Sequence, residues 1–230
     1  MASIGPLPTG AVPARTVYLA SDDADATADA VSAPGGPVLM GPGPGDVGPV
    51  GRMFVAADPA EAVFGVWQHS EHIGAGVVNE PGGLVWEDNA VPDPDAIRPF
   101  SAAVFGYRYD PAPGVGTDYT TFTGAEPYPL GGIGGVVPGS PPHWLAYFAV
   151  ADTDAAVAAT ERAGGTVVRA ATDSPYSRSA VLADATRAVF AIIQTTGEGQ
   201  PDRSGQIRRR TLAAGGLPWT VPAPEARGPE

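Results

Sequence analysis

Few side chains in this sequence have the types and spacing that catalysis or metal binding requires. His69 and His72 flank Glu71, and a histidine pair beside a carboxylate is a weak pattern for a metal site. The surrounding stretch 69–83 is rich in glycine and polar residues, so a solvated connector is the preferred interpretation. His143 follows two prolines at a predicted strand start, where we expect it on the rim of a sheet.

The composition excludes several classes of function. The chain of 230 residues has no cysteine, which excludes disulfides, thiolate catalysis and sulfur-ligated metals. Its net charge is −12 and all 13 basic residues are arginines, so neither a nucleic-acid nor a membrane partner is expected. No GxSxG motif marks a nucleophilic serine, and the glycine-rich GPGPGDVGPVG lacks the lysine of a phosphate loop. Without a long apolar run or a signal-peptide pattern, the expected location is cytoplasmic.

An internal repeat identifies the elements that must position any site. The segment TVYLASDDADATADAVSAPGGPVL at Thr16 reads again as LAYFAVADTDAAVAATERAGGTVV at Leu145, at an offset of 129. Further on, GRMFVAADPAEAVFGVWQ matches SRSAVLADATRAVFAIIQ at an offset of 126. A repeat of about fifty residues indicates one duplicated supersecondary unit.

Each copy predicts one strand, one helix and three further strands. TVYLAS alternates and is rich in β-branched and aromatic residues, Asp23 and Asp152 supply helix N-caps, and paired glycines end each helix. A third copy begins at Leu84, with Asp93 as the cap and with Pro99 inside the helix, where we expect a kink. The predicted fold class is therefore α+β, built from tandem βαβββ units with a helix on the outer face of each sheet.

These units divide the chain into four predicted segments. Residues 1–68 contain a short strand at Ser3–Leu7 and one βαβββ unit. Residues 69–83 form a connector to the next unit. Residues 84–194 hold two units. Residues 195–230 are polar and rich in glycine and proline, so a disordered tail is expected there.

Four segments carry a family resemblance: GRMFVAADPAEAVFGVWQ, EHIGAGVVNEPGGLVWED, PDPDAIRPFSAAVFGY and HWLAYFAVADTDAA. Together they resemble the vicinal oxygen chelate superfamily of glyoxalases, bleomycin-resistance proteins and extradiol dioxygenases, and in particular its bacterial two-domain proteins. The resemblance implies that two βαβββ units pair into a half-open barrel around a cleft. By that pattern, 84–194 is a complete domain, and 1–68 is an incomplete domain that lacks most of its first unit.

The resemblance also says where a metal would be held. In metal-using members the ligands are His, Gln or Glu on the first and last strands of each unit. The matching positions in this sequence are Thr16, Gly65, Trp86, Leu145 and Ala191. None of these side chains is a ligand for a divalent ion, so we predict no metal and no cofactor.

Strand alternation then predicts which residues line the cleft. If the ligand-equivalent positions face it, their neighbours two residues away do so as well. The predicted ligand-binding residues are thus Trp86, Asp88, Tyr147 and Ala191. Arg178, which matches Arg52 in the repeat, is a candidate to hold a carboxylate at the cleft mouth. For each of them the alternative is a purely structural role, in packing or in a surface ion pair.

Two functional hypotheses follow from different classes. The first is a bleomycin-resistance-like protein that binds a small, partly aromatic ligand in a metal-free cleft without changing it. The alternative is a glyoxalase-like lyase or isomerase, or a hydroxylase or dioxygenase-type enzyme. Such an enzyme would use metal ligands outside the matched positions or Asp88 as a general base. The sequence leaves open which hypothesis holds.

The incomplete first domain carries a further expectation. Its sheet has a cleft-facing side with no partner unit in the chain, made up of Thr16, Tyr18, Ala20, Val63 and Trp67. Such an exposed apolar patch is rare on a monomer. Either the chain is a truncated form of a longer protein, or two copies form a homodimer through residues 1–68.

Overall fold

Three βαβββ units follow one another in the computed structural model, which describes residues 13–40, 46–115, 118–125, 127–137 and 139–195. In the first unit the elements are β1 (Tyr18–Ser21), α1 (Ala24–Ser32), β2 (Val38–Met40), β3 (Gly51–Ala57) and β4 (Val63–His69). In the second they are β5 (Leu84–Val91), α2 (Pro94–Phe105), β6 (Arg108–Pro111), β7 (Thr120–Thr123) and β8 (Pro129–Gly135). In the third they are β9 (His143–Val150), α3 (Thr153–Arg162), β10 (Thr166–Asp173), β11 (Arg178–Ala183) and β12 (Val189–Gln194). The predicted strand stub at Ser3–Leu7 and the predicted disordered tail lie outside the described residues, apart from Thr195.

Strand pairing confirms the predicted α+β fold. In each unit the first strand lies parallel to the last, as β1 beside β4, β5 beside β8 and β9 beside β12. The first unit forms a four-stranded sheet of order β1-β4-β3-β2, and the other two units share an eight-stranded sheet of order β10-β11-β12-β9-β5-β8-β7-β6. The two halves of the larger sheet are joined where β5 pairs antiparallel with β9.

The helix ends explain the repeated aspartates. Asp23, Asp93 and Asp152 each accept a hydrogen bond from the backbone N–H three residues ahead, at 3.0, 3.2 and 2.9 Å. These bonds satisfy one of the free donors at each helix start. The last strand contributes as well, because the side-chain oxygens of Gln68 and Gln194 accept the backbone N–H of Ala24 and Thr153. Helix α2 continues through Pro99 to Phe105.

The first unit packs against the second through their helix-bearing faces. Val31, Phe54 and Phe64 of the first unit form one buried core with Phe100 and Phe122 of the second. Helix α1 contacts α2 directly. Among the described residues, none of the helices combines the length and the apolar character that crossing a bilayer requires.

A buried polar contact joins the same two units. Asp58 and Asn89 are almost fully buried, and the Asn89 side-chain amide donates to Asp58 Oδ2 at 3.0 Å. Asp58 Oδ1 accepts the backbone N–H groups of Ala60 and Ala62 within the β3–β4 turn. Burial raises the pKa of Asp58, and these hydrogen bonds partly offset the shift.

The other face of the first sheet is exposed. Tyr18 and Val63 are 42% and 43% exposed, and Thr16 and Ala20 are exposed as well. Trp67 is half-buried, and its indole N–H donates to the carbonyl of His72 at 2.8 Å. Strand β1 is an edge strand of the described sheet. The pairing of two copies through residues 1–68 stays a prediction.

Helix α3 leaves an open apolar groove beside the third unit. The groove has a volume of about 610 Å³ and lies between the alanine side chains of α3 and the aromatic rings of Phe148 and Phe190. It lies on the helix-bearing side of the sheet, because Phe190 packs with Ala156 and Val157 of α3.

We predict that Asn89→Ala lowers the free energy of unfolding by about 1–3 kcal/mol, because it leaves a buried Asp58 oxygen without its donor. Urea denaturation measures the change. Thr186→Ala is the matched control. Thr186 donates to Asp184 in the equivalent but exposed turn, so its loss is expected to change stability by less than about 0.5 kcal/mol. Equal losses in the two variants would contradict this role for the Asp58–Asn89 contact.

Candidate functional site

The candidate site lies on the inner face of the eight-stranded sheet, which we define as the face opposite α2 and α3. The antiparallel register sets Trp86 of β5 opposite Tyr147 of β9, and Asp88 opposite Leu145. Tyr147 and Leu145 belong to a buried cluster that also contains Val85, Ala149, Val181 and Ala191, with Trp86 and Ile193 packed against it. The second and third units therefore share one apolar and aromatic surface.

Asp88 is the polar centre of this surface. Its Oδ1 atom accepts the indole N–H of Trp86 at 2.9 Å and the hydroxyl of Tyr119 at 2.6 Å. The same indole N–H lies 3.0 Å from the Tyr119 oxygen, so the three groups form a closed triangle. The hydroxyl of Tyr147 also acts on Asp88 and helps to lower the pKa of its carboxyl group.

Burial and hydrogen bonding act in opposite directions on the pKa of Asp88. Burial raises the pKa of Asp88, while the hydrogen bonds from Tyr119, Tyr147 and Trp86 hold the increase down. Burial and the neighbouring carboxylate raise the pKa of both tyrosines well above the usual value. Both phenols therefore stay protonated at neutral pH and can act as hydrogen-bond donors to Asp88.

Glycines in β8 make room for Tyr119. A Cβ atom on Gly132 would lie 1.9 Å from the Tyr119 hydroxyl oxygen and 2.8 Å from Asp88 Oδ1. One on Gly134 would lie 2.7 Å from the Tyr119 ring. Since real Cβ contacts are never this short, the glycine-rich sequence of β8 is what lets the phenol lie across the strand and reach Asp88.

Arg169 adds a positive charge to this surface. It lies on β10 opposite Val181 of β11, which belongs to the inner-face cluster. Its side chain is exposed, and its charge lowers the pKa of both Asp88 and Tyr147.

Four of the five predicted ligand-binding residues lie together on the inner face. Trp86, Asp88 and Tyr147 are neighbours, and Ala191 of β12 is fully buried beside Tyr147, its partner in the parallel register. Their role in ligand binding stays a prediction.

The structure corrects the placement of Arg178. On β11, Arg178 alternates in phase with Ala180 and Leu182, which pack beneath α3, so it lies on the outer face. Its guanidinium forms ion pairs with Asp154 in the first turn of α3 and with Asp173. Arg52, at the matching position of the first unit, is paired with Asp25 in the first turn of α1. The repeated arginine thus ties a strand to its helix.

Sequence reasoning missed Tyr119 and Arg169. Tyr119 precedes β7 and reaches Asp88 across β8, and the signal for it is the run Gly131-Gly132-Ile133-Gly134-Gly135, which implies a bulky neighbour over that strand. No comparable signal marks Arg169 in the sequence. The pairing of β10 with β11 shifts register before and after Arg169, and these shifts determine which face of the sheet its side chain is on.

The side chains at the predicted ligand positions are not of the types that hold a metal ion in proteins. The positions that match the ligands of metal-using proteins carry Thr16, Gly65, Trp86, Leu145 and Ala191. Among the described residues, no three His, Cys, Asp or Glu side chains lie together as a metal site requires. His72 and His143 contact different groups. His72 packs edge-on against Trp67, and Nδ1 of His143 lies 2.9 Å from the Pro141 carbonyl oxygen.

A second carboxyl group, Glu87, lies on the opposite side of β5. Its register partner is Ala146, and its charge acts on Tyr107, whose ring stacks on the buried ring of Phe122 at 4.6 Å. Burial raises the pKa of Glu87 to about 7.

Comparison with known proteins gives both sequence relatives and structural neighbours. No family model matches the chain. It is 38% identical over 201 residues to the protein named "Putative glyoxylase CFP32" of Mycobacterium tuberculosis, covering 84% of this chain and 76% of that protein. It is 39% identical over 194 residues to the anthracycline biosynthesis protein DnrV of Streptomyces peucetius, covering 83% of this chain and 68% of that protein.

Two solved structures share the fold at low sequence identity. The Mn(II)-bound glyoxalase of Novosphingobium aromaticivorans superimposes with a TM-score of 0.55 at 14% identity, covering 77% of this chain and 61% of that one. The 2,2',3-trihydroxybiphenyl 1,2-dioxygenase of Sphingomonas wittichii superimposes with a TM-score of 0.54 at 15% identity, covering 81% of this chain and 72% of that one.

We predict that Gly132→Ala displaces Tyr119 from Asp88, whereas Gly135→Ala leaves the site intact. A Cβ on Gly135 meets no atom within 4 Å, so the second variant controls for the loss of glycine in the same strand. Loss of the contact is expected to change the near-ultraviolet circular dichroism of Trp86 and to lower stability by about 1–3 kcal/mol. Identical spectra in the two variants would show that Tyr119 does not depend on Gly132.

We also predict that Glu87 makes stability fall as the pH rises from about 4.5 to 7. Because the pKa of Glu87 is higher in the folded protein than in the unfolded chain, folding takes up a proton in this window, and the slope approaches about 1.4 kcal/mol per pH unit. Glu87→Gln is expected to remove that part of the slope in urea denaturation. Glu161→Gln, an exposed change on α3, is the control, and a Glu87→Gln curve parallel to the wild type would overturn the assignment.

Proposed function

We propose that this chain, which belongs to the vicinal oxygen chelate superfamily of glyoxalase-like proteins, binds a small, partly aromatic ligand on its inner sheet face without using a metal. The observation that carries the proposal is the group formed by Asp88, Trp86, Tyr119 and Tyr147 at the centre of that face. Family membership supports the location, since paired units of this fold enclose a cleft. The side chains at the ligand-equivalent positions support the metal-free part.

The chemistry of the face suits an aromatic ligand. Trp86 and Ile193 are only partly buried and can contact a ligand, and the buried side chains of Leu145, Val181 and Tyr147 lie around them. The polar atoms are concentrated around Asp88, so hydrogen bonds formed there would fix the orientation of a ligand. A few fixed polar groups within an apolar surface are typical of sites that select a ligand by shape.

A second candidate is an enzyme that uses Asp88 as a general base, as in a glyoxalase-like lyase or isomerase or a hydroxylase-type enzyme. The raised pKa of Asp88 favours it, because a base works best with a pKa near the working pH. However, Oδ1 already accepts two hydrogen bonds. Donors that stabilise the ionised form weaken a carboxylate as a base, so ligand binding is the better-supported function.

Thermal denaturation of the EDTA-dialysed full chain with a panel of small aromatic compounds and 2-oxo acids tests the proposal. A ligand at a hundred times its dissociation constant is expected to stabilise the fold by about 2.7 kcal/mol and to raise the melting temperature by a few degrees. Elemental analysis of the purified protein is expected to find well under one equivalent of Zn, Ni, Fe or Mn.

Two tryptophan variants locate the site. Trp86→Phe is expected to weaken binding of the ligand found in the panel by about tenfold, because it removes a donor to Asp88 and part of the ring surface. Trp67→Phe, on the exposed first-unit sheet, is expected to leave affinity unchanged. No stabilisation by any compound, one equivalent of metal, or an equal effect of the two variants would each contradict the proposal.

A further inference from the structure

We propose that the inner-face site selects aromatic ligands that carry an anionic group, such as a carboxylate, and that Arg169 is the residue that pairs with it. This inference rests on the proposed ligand-binding function and adds the class of ligand. It also identifies a specificity-determining residue on β10, a strand that holds none of the residues predicted from the sequence.

The position of Arg169 brings it to the site from the side of the third unit. Its register partner is Val181, which packs with Tyr147 in the inner-face cluster. The pairing of β10 with β11 shifts register between Val167 and Arg169 and again between Arg169 and Thr172. Such irregularities re-aim side chains and are common beside binding sites.

The charge of Arg169 is not used in an ion pair, in contrast to four other arginines of the chain. Arg15, Arg52, Arg98 and Arg178 each form an ion pair with an aspartate. Within the described ranges Arg169 forms none, as is also true of Arg108, Arg162 and Arg187, although the chain carries a net charge of −12. What distinguishes Arg169 is its place on the inner face, where it lies opposite Val181 and its charge acts on Tyr147 and Asp88.

An exposed guanidinium beside a hydrophobic, aromatic surface is suited to a planar anion. It presents several N–H donors in a fixed plane that matches a carboxylate bidentately. The charge of Arg169 acts on Tyr147, and this interaction links the arginine to the group around Asp88. An aromatic ring beside the half-buried Trp86 would therefore direct a carboxylate substituent towards Arg169.

When Asp88 is ionised it repels an anionic ligand, and the hydrogen-bond donors around its carboxylate weaken this repulsion. Trp86, Tyr119 and Tyr147 all direct donors at the Asp88 carboxylate, which reduces its field on the ligand side. Since Coulomb energy falls with distance, an anion in direct contact with Arg169 gains more than it loses to a shielded carboxylate farther away. The carboxylate of the ligand is accordingly expected at the Arg169 end and the ring at the Asp88 end.

Matched pairs of ligands and variants test the inference on the full chain. Benzoate, cinnamate and 2-naphthoate are titrated against their primary amides by tryptophan fluorescence or calorimetry. In the wild type the acids are expected to bind at least about tenfold more tightly than the amides, and the preference is expected to shrink as salt rises. Arg169→Gln is expected to abolish the preference by weakening the acids alone, and Arg169→Lys to restore part of it.

Arg178→Gln is the matched control, because it removes an arginine from the same sheet but from the outer face. It is expected to keep the full preference for acids. Amides that bind the wild type as tightly as the acids would overturn this inference and leave the proposed function standing. So would an Arg169→Gln variant that weakens acids and amides equally, or an Arg178→Gln variant that loses the preference. If no aromatic compound binds, whether acid or neutral, the proposed function fails and this inference fails with it.

Discussion

Strands β5 and β9 pair antiparallel, and the inner face depends on this pairing. It places Trp86 against Tyr147 and Asp88 against Leu145, residues that are about sixty positions apart in the chain. A shift of the register by one residue would turn Glu87 and Ala146 to the inner face and would bury Asp88 beneath the helices. The glycines of β8 then admit Tyr119 from the other side, and β10 brings Arg169.

The repeated unit uses its charged and amide side chains for the same tasks in each copy. Asp23 and Asp152 cap helices, Gln68 and Gln194 close the same helix ends from the last strand, and Arg52 and Arg178 join a strand to a helix. These residues match in the repeat because the architecture requires them. The residues of the candidate site are less uniform. Tyr147 matches Tyr18, whereas Asp88 takes the place of that tyrosine in the second unit and Arg169 stands where the first unit has Met40, as expected when one site is built on a shared fold.

Sequence alone was sufficient for much of the fold and for part of the site. The helix caps and the first strands have strong local signals, so the βαβββ units and the inward phase of Trp86, Asp88 and Tyr147 were predictable. Arg178 was misplaced because the sequence of β11, RSAVLA, is apolar on both faces and gives no phase. Tyr119 and Arg169 depend on long-range pairing and on register shifts, neither of which short-range periodicity encodes.

The hydrogen bonds around Asp88 bear directly on whether the site binds or catalyses. A half-buried carboxylate is costly unless donors satisfy it, and here an indole and two phenols do so. These donors favour the ionised form of Asp88 and hold Oδ1 in place, and a carboxylate that is stabilised in this way is a weaker general base. Of the charged and aromatic groups around this site, Arg169 is exposed and Trp86 is half-buried, so both are open to a ligand. An arrangement of this kind favours recognition of a flat, negatively charged molecule over removal of a proton from it.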